Sequence, residues 1–405
     1  MNIQTLKGFR DFLPLEARKR QYVINTLKKV FESFGFEPLE TPVLEYDEIL
    51  TGKYGEEGEK LMYRFEDNGK RKVAMRYDQT VPTARVIAQY PELPKPFKRY
   101  QIQPVFRADK PQKGRYREFI QCDVDIIGLD SILADTEILA TVVNAYKALG
   151  FKNFNILVND RIVFNGLSPL TITILDKLKK IGNDGVIEEL VTRNECKNTD
   201  EAKKLLQSIL NQKPSVRLQE ILSSAKEMGI EENKLIFSPT LARGLDYYTG
   251  LIFEVEIPEY SVGSVCGGGR YDNLIGMFSK QQMPAVGYAV GFDRTIEAME
   301  ELNLFPASIL QTTQVLVTIF NENLQNKALK IASILRENDI NTEIYLDPKA
   351  KLEKQLKYAD TKNIPYALIQ GPDEIEKNTF MLKDLKNRTQ KTYPENELLN
   401  FFQRK

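Results

Sequence analysis

Apolar residues recur at helical spacing near the start of the chain. Val23, Leu27, Val30, Phe31 and Phe34 follow one another on one face. Pro14 stands where a first helical turn tolerates proline, and Gly35 ends the run. This spacing predicts a helix between those two residues. A proline-flanked extended stretch follows from Phe36 to Leu44. The period then changes to two. In FKRYQIQPVFR the polar residues Arg99, Gln101, Gln103 and Arg107 hold odd positions, with Val105 the exception, while Tyr100, Ile102 and Phe106 are apolar. In REFIQCDVDII the polar set is Arg117, Gln121, Asp123 and Asp125 against Ile120, Cys122, Val124 and Ile126. Alternation assigns each set to one face of a sheet, and the charged loop ADKPQKGRY makes the pair a hairpin.

Helical spacing resumes from about Leu133 to Leu149. It persists through 161–235, where Leu170, Ile174, Leu178 and Ile181 precede Gly182 and Leu205, Leu206, Ile209 and Leu210 repeat the pattern. That stretch reads as an all-helical insertion. Strand patterning returns at 251–257 and at 285–292, where Ala285, Gly287, Ala289 and Gly291 form a face of small residues; a helix begins near Asp293. From 313 to 405 strand-like QVLVTI, TEIYL, YALI and TFMLK alternate with helical segments, as in a small α/β domain with a mostly parallel or mixed sheet.

Composition narrows the chemistry. Lys plus Arg and Asp plus Glu balance at 56 each, so a nucleic-acid partner must be met by local basic clusters rather than by net charge. The chain has no histidine, which removes imidazole bases, Ser-His and Cys-His nucleophile pairs and histidine-ligated zinc. Cys122, Cys196 and Cys266 stand alone, without metal or redox spacing, which fits a reducing, cytoplasmic compartment. No apolar run is long enough for a membrane span, and the first residues lack the apolar stretch of a signal peptide.

Three local features could carry chemistry. Arg107, Arg117, Gln121, Asp123 and Asp125 share the polar hairpin face; a solvated antiparallel sheet face would look the same. The small-residue face, with Arg294 at the following helix start, suits either close ligand approach or tight packing of a helix on the sheet. CGGGRYD has three glycines that let a backbone approach a ligand, yet matches neither the dinucleotide fingerprint nor the P-loop. ARGLDYYTG gathers an arginine, an acid and two tyrosines in a short span; a polar turn leading into a strand would look the same.

Taken together, the segments resemble the histidyl-tRNA synthetase family of class II synthetases. KPQKGRYREFIQCDVDIIG is similar to motif 2, VGYAVGFDRTIEAM to motif 3 and GFEPLETPVLE to motif 1, the usual dimer element. RGLDYYTG and GGGRYD resemble the two histidine signature segments, and LEKQLKYADTKNIPYALIQGPDE resembles the anticodon-binding domain. The resemblance implies an α+β fold: a class II core with a mainly antiparallel sheet flanked by helices, a helical insertion and a C-terminal α/β domain. It divides the chain into a first core part (1–160, motifs 1 and 2), the insertion (161–235), a second core part (236–312) and an anticodon-binding domain (313–405).

It also implies roles. Arg107 and Arg243 would be catalytic, Arg107 holding the ATP α-phosphate and Arg243 contacting the substrate carboxylate and α-phosphate. Arg294 would hold the far end of the triphosphate, Phe119 would stack on adenine, and Arg115 and Arg117 would assist the phosphates or the tRNA acceptor end. Asp78, Thr80 and Gln121 would bind the ammonium of L-histidine. Asp125, Tyr247, Tyr248 and Tyr271 would line the imidazole pocket. ATP, Mg2+, tRNA(His) and a second copy of the chain are the implied partners, with no membrane. Lys110 stands where many relatives carry arginine, which leaves acceptor-end contacts open, and Asp78 where many carry glutamate. The competing reading is a non-catalytic regulatory subunit of ATP phosphoribosyltransferase, which shares the core but typically lacks the last domain and the catalytic arginines.

Overall fold

The computed structural model describes the chain except residues 1–2, 53–54, 112–115, 244–247, 279–281, 311 and 404–405, and the side chains of 55–57 and 277. The chain folds as two compact units, Met1–Phe12 with Lys19–Leu304, and Leu13–Arg18 with Phe305–Lys405.

The strands of the first unit, in chain order, are β1 (Glu37–Pro38), β2 (Leu44–Tyr46), β3 (Arg64–Glu66), β4 (Lys72–Met75), β5 (Phe97–Phe106), β6 (Glu118–Ile127), β7 (Asn155–Asp160), β8 (Leu235–Phe237), β9 (Leu251–Glu256), β10 (Cys266–Arg270) and β11 (Ala285–Gly291). Among the described residues, eight of them form one sheet in the order β1-β5-β6-β11-β10-β9-β7-β8. Its six inner strands are antiparallel, and only the edge pairs β1–β5 and β7–β8 run parallel. This is the mainly antiparallel sheet that the resemblance implied, and the β5–β6 pair is the hairpin that alternation called for. The small sheet β2-β4-β3 is not foreshadowed in the pattern: its strands are three or four residues long, too short for a period to declare itself.

One face of the large sheet is apolar. Val124 and Ile126 of β6, Tyr288 and Val290 of β11 and Phe253 and Val255 of β9 are buried there. Helix Ile132–Ala148, capped by the Ser131 side chain on Leu133 N–H, buries Ile138, Leu139, Val142 and Tyr146. The Tyr146 hydroxyl donates to Val265 O at 3.0 Å, which satisfies the one polar end of that ring. Phe31, from helix Pro14–Ser33, meets the rings of Tyr100 and Tyr288. Arg270 also reaches toward the 132–148 helix, where its guanidinium meets Asp135 at 2.8 Å and Asp135 is wholly buried. That arginine of GGGRYD therefore ties helix to sheet.

The helical stretch after β7 consists of Pro169–Asp176, Leu178–Thr192, Thr199–Leu210 and Val216–Glu227, before the chain re-enters the sheet as β8. Gly182, at φ 70°, breaks the second helix as its place in the pattern suggested. The first three of these helices do not form a core of their own. Ile172, Ile174, Leu175, Val186, Leu190 and Leu206 share one apolar cluster with Ala242, Tyr248, Tyr271 and Ala285.

The second unit contains β12 (Val315–Val317), β13 (Thr342–Ile344), β14 (Tyr366–Ile369), β15 (Thr379–Asp384) and β16 (Thr389–Pro394), in the order β13-β12-β14-β15-β16. The first three are parallel and the last two antiparallel. The sheet is mixed, and β16, mostly polar and exposed, leaves no mark in the hydrophobic pattern. Ala328, Ile331 and Leu335 of helix Gln325–Glu337 pack on it with Phe380 and Phe402.

Candidate active site

The polar face of the β5–β6 hairpin is buried, contrary to a solvated sheet face. Arg99 and Gln101 are fully inaccessible, and Asp123 and Asp125 are each 4% exposed. Register explains which residues meet. One row across the sheet runs Arg99, Asp125, Gly287, Gly269, Ile252 and Asn159. The next runs Gln101, Asp123, Ala289, Gly267 and Glu254. The third joins Gln103, Gln121 and Gly291. Three acids or amides of β6 thus face three small residues of β11.

The glycines carry side chains of the site, not a helix. A Cβ on Gly287 would lie 1.9 Å from Asp125 Oδ1, one on Gly267 1.4 Å from Arg243 Nη1, and one on Gly269 2.8 Å from the Tyr248 ring. On the small-residue face itself, the close approach at Gly287 is made by the Asp125 side chain, while Gly291 adjoins Val265 O and the Arg294 Cβ of the following helix.

Asp125 is held from two sides. Arg99 Nη2 lies 2.6 Å from Asp125 Oδ2, an ion pair by distance without the alignment of a hydrogen bond. The Tyr271 hydroxyl donates to Asp125 Oδ1. Burial raises the pKa of Asp125 above the usual carboxylate range, while Arg99 and Tyr271 hold that rise back. Burial would lower that of Arg99, but Asp125, Asp123, Tyr271 and Asp78 outweigh it and keep the guanidinium charged. Arg99 is in turn anchored through Nη1 on Gln101 Oε1 at 3.2 Å, and Gln101 donates to Thr41 Oγ1 and Gln103 Oε1 at 2.8 and 2.6 Å. Among the described residues the buried Oδ1 of Asp123 accepts no hydrogen bond. Burial, with Asp125 and Asp78 adding to it and Arg99 and Arg107 opposing, pushes its pKa up to about 8.

Arg243 adopts φ 49°, a left-handed conformation rare for a side chain of its size. Asn159 braces the approach to it, donating from Nδ2 to Pro239 O at 3.1 Å and Leu241 O at 3.0 Å, while Ala242 N–H donates to Asp176 Oδ1 at 3.1 Å. Its Nη1 meets Glu254 Oε1 at 3.0 Å. Burial raises the Glu254 carboxyl, and Arg243 opposes that shift.

Arg107, just past β5, donates from Nε to Tyr77 O at 3.1 Å and sits 4.3 Å from the Tyr77 ring centroid and 5.2 Å from that of Phe119. Asp78 accepts from Val81 N–H at 3.1 Å at the start of helix Thr80–Gln89, whose first residue is Thr80. Gln121 has a buried Oε1 that accepts no hydrogen bond. Arg117 lies beside the N-terminal segment, with Nε on Asp109 O at 3.0 Å and its N–H on Gly8 O at 2.9 Å. Arg294 donates to Ser264 O at 3.0 Å from helix Phe292–Glu301. Arg115 and Tyr247 lie outside the described residues. Arg99, Asp123, Glu254 and Asn159 carried no assigned role in the sequence; only alternation, which put Arg99 and Asp123 on the polar odd positions, signalled the first two.

Comparison with known proteins identifies the family. A family model described as histidyl-tRNA synthetase matches residues 8–215 and 183–295, and one described as an anticodon binding domain matches 314–405. The chain is 41% identical to a histidine–tRNA ligase of Cytophaga hutchinsonii over 94% of each chain. A histidyl-tRNA synthetase structure from Nostoc sp. PCC 7120 superposes with a TM-score of 0.87 at 29% identity, covering 100% of this chain and 99% of that one. A Bacillus halodurans structure described as an ATP phosphoribosyltransferase regulatory subunit/histidyl-tRNA synthetase shares the fold, at TM-score 0.70 and 20% identity over 88% of this chain and 97% of that one.

Proposed function

Because the chain belongs to the histidyl-tRNA synthetase family, and is thus a class II aminoacyl-tRNA synthetase that ligates histidine to tRNA, we propose how its own residues divide that work. The carrying observation is the buried Asp125, held by Arg99 and Tyr271 beside the glycine floor under Arg243. Asp125 accepts one ring N–H of the substrate imidazole, and Tyr248, with Tyr247 and Tyr271, closes the ring pocket. Asp78, Thr80 and Gln121 receive the substrate ammonium. Arg107 and Arg243 converge on the α-phosphate, Phe119 stacks on adenine, Arg294 takes the far phosphates, and Arg115 and Arg117 serve the phosphates or the acceptor end.

In the first step a carboxylate oxygen of histidine attacks the α-phosphorus and pyrophosphate leaves, giving histidyl-adenylate. In the second a hydroxyl of the terminal tRNA ribose attacks the adenylate carbonyl and AMP leaves. Charge grows around phosphorus in the first step, where fixed guanidiniums in a partly dry site are most effective. No step of activation needs an enzyme imidazole, which suits a chain without histidine. Mg2+ would accompany the triphosphate and supply charge neutralisation, held mostly by phosphate oxygens and water; among the described residues no group of three or more acids or cysteines could hold it.

The partners in this proposal are tRNA(His), L-histidine, ATP and a second copy of the chain, in the cytoplasm. The dimer rests on the motif 1-like stretch, where Val43 and Leu44 are exposed. No helix of the described residues is long and apolar enough to cross a membrane. The test is pyrophosphate exchange with each amino acid in turn. Exchange that depends on histidine, ATP and magnesium is the expected result. No exchange, together with binding to a phosphoribosyltransferase, would overturn it in favour of the regulatory reading.

A further inference from the structure

The buried Oδ1 of Asp123 has no hydrogen-bond partner among the described residues. Asp123 lies on the same face of β6 as Gln121 and Asp125, one step from each. Leaving a buried acceptor unmade costs a fold stability. The charged groups around it are Arg99 from β5, Asp125 from its own strand, Asp78 from the turn before helix Thr80–Gln89, and Arg107 at the end of the hairpin strand. Farther along its row Arg243 lies over Gly267 and is paired with Glu254. Arg99, the foremost cation acting on it, is committed to Asp125 at 2.6 Å. The Asp123 carboxyl therefore sits beside the Asp125 and Asp78 carboxyls, offset only in part by Arg99, which is paired with Asp125, and by Arg107.

We propose that Asp123 is a further substrate-binding residue, whose orphaned oxygen takes a hydrogen bond from the α-ammonium of histidine. The proposal rests on the histidine-pocket reading above. It has a proton balance. In the empty pocket the Asp123 carboxyl keeps its proton; when the ammonium arrives the carboxyl ionises, the ammonium keeps all its protons, and one proton passes to the buffer. Near neutral pH, histidine binding releases that proton, and a ligand without the ammonium does not.

The experiment is calorimetric titration of the full chain, in two buffers of different ionisation heat, with L-histidine, with L-histidinol, which keeps the ammonium, and with imidazolepropionate, which lacks it. Asp123→Asn should weaken L-histidine and L-histidinol by about tenfold or more, the worth of one charged hydrogen bond, and leave imidazolepropionate within about twofold. The proton release seen with histidine should vanish in the variant. Equal weakening of all three ligands, or no weakening of histidine, overturns the role of Asp123. If the variant does not fold, the wild type decides alone: equal proton release with histidine and imidazolepropionate overturns the proposal. Failure of L-histidine to bind the wild type would instead overturn the pocket reading beneath it.

Discussion

Asp123→Asn should stabilise the ligand-free protein near neutral pH, and the gain should grow with pH. The asparagine has the shape of a protonated aspartate but cannot ionise. In the wild type burial pushes the Asp123 carboxyl up to about 8, against ~3.9 for an exposed aspartate in the unfolded chain. Because the folded value is the higher, the contribution of this group to stability is complete below the unfolded value and is lost as pH rises toward the folded one. Between those limits the unfolded chain has released a proton that the folded chain retains, so wild-type stability falls by roughly 1.4 kcal/mol per pH unit from this group. From about pH 5 to pH 7.5 that amounts to ~3 kcal/mol, and water in the pocket would screen part of it, so about 2 kcal/mol is expected. Arg99, Asp125 and Asp78 are common to both proteins, and their own titrations cancel to first order. The assay is urea unfolding at half-unit pH intervals, followed by circular dichroism because the chain has no tryptophan. The variant's midpoint should move away from the wild type's as pH rises. Parallel curves across this range would refute the claim that folded Asp123 holds a proton.

Three further outcomes follow from the same geometry. Arg243→Ala should slow single-turnover adenylate formation by ~3 kcal/mol while changing histidine affinity far less, since its charge matters most as phosphorus gains negative charge; an unchanged single-turnover rate would remove it from the chemistry. Gly287→Ala places a methyl group 1.9 Å from Asp125 Oδ1 and 2.5 Å from Val124 O, an overpacking worth ~1–3 kcal/mol, so the KM for histidine in pyrophosphate exchange should rise well beyond that for ATP; a folded variant with an unaltered histidine KM would mean that Asp125 does not face the ring. A chain ending before residue 313 should keep pyrophosphate exchange and lose efficient tRNA charging, since residues 314–405 match an anticodon binding domain; normal charging by a folded truncation would defeat that assignment.

Alternation along 97–127 determined which residues share a face, because side-chain direction in a strand is a local property of the backbone. It set Arg99, Asp123 and Asp125 together before any contact was known, and the helical spacing after Pro14 and the break at Gly182 were equally local matters. The resemblance of whole segments, carried by short ordered motifs, supplied Arg107, Arg243, Asp125 and Tyr271 as site candidates. What the pattern could not determine was whether the polar face meets water. That depends on what covers it, and the cover comes from residues distant in the chain: helices at 169–210 that share a core with Tyr248 and Tyr271, and a glycine-bearing strand whose register puts Gly287 beside Asp125. Only the tertiary structure turned the alternating polar residues into a buried charge cluster, paired Arg99 with Asp125, brought in Tyr271 from far along the chain and left the Asp123 Oδ1 without a donor. The reason is physical: a strand's pleat is decided residue by residue, whereas burial, and the shifted acidity that follows from it, is a sum over everything folded around the group.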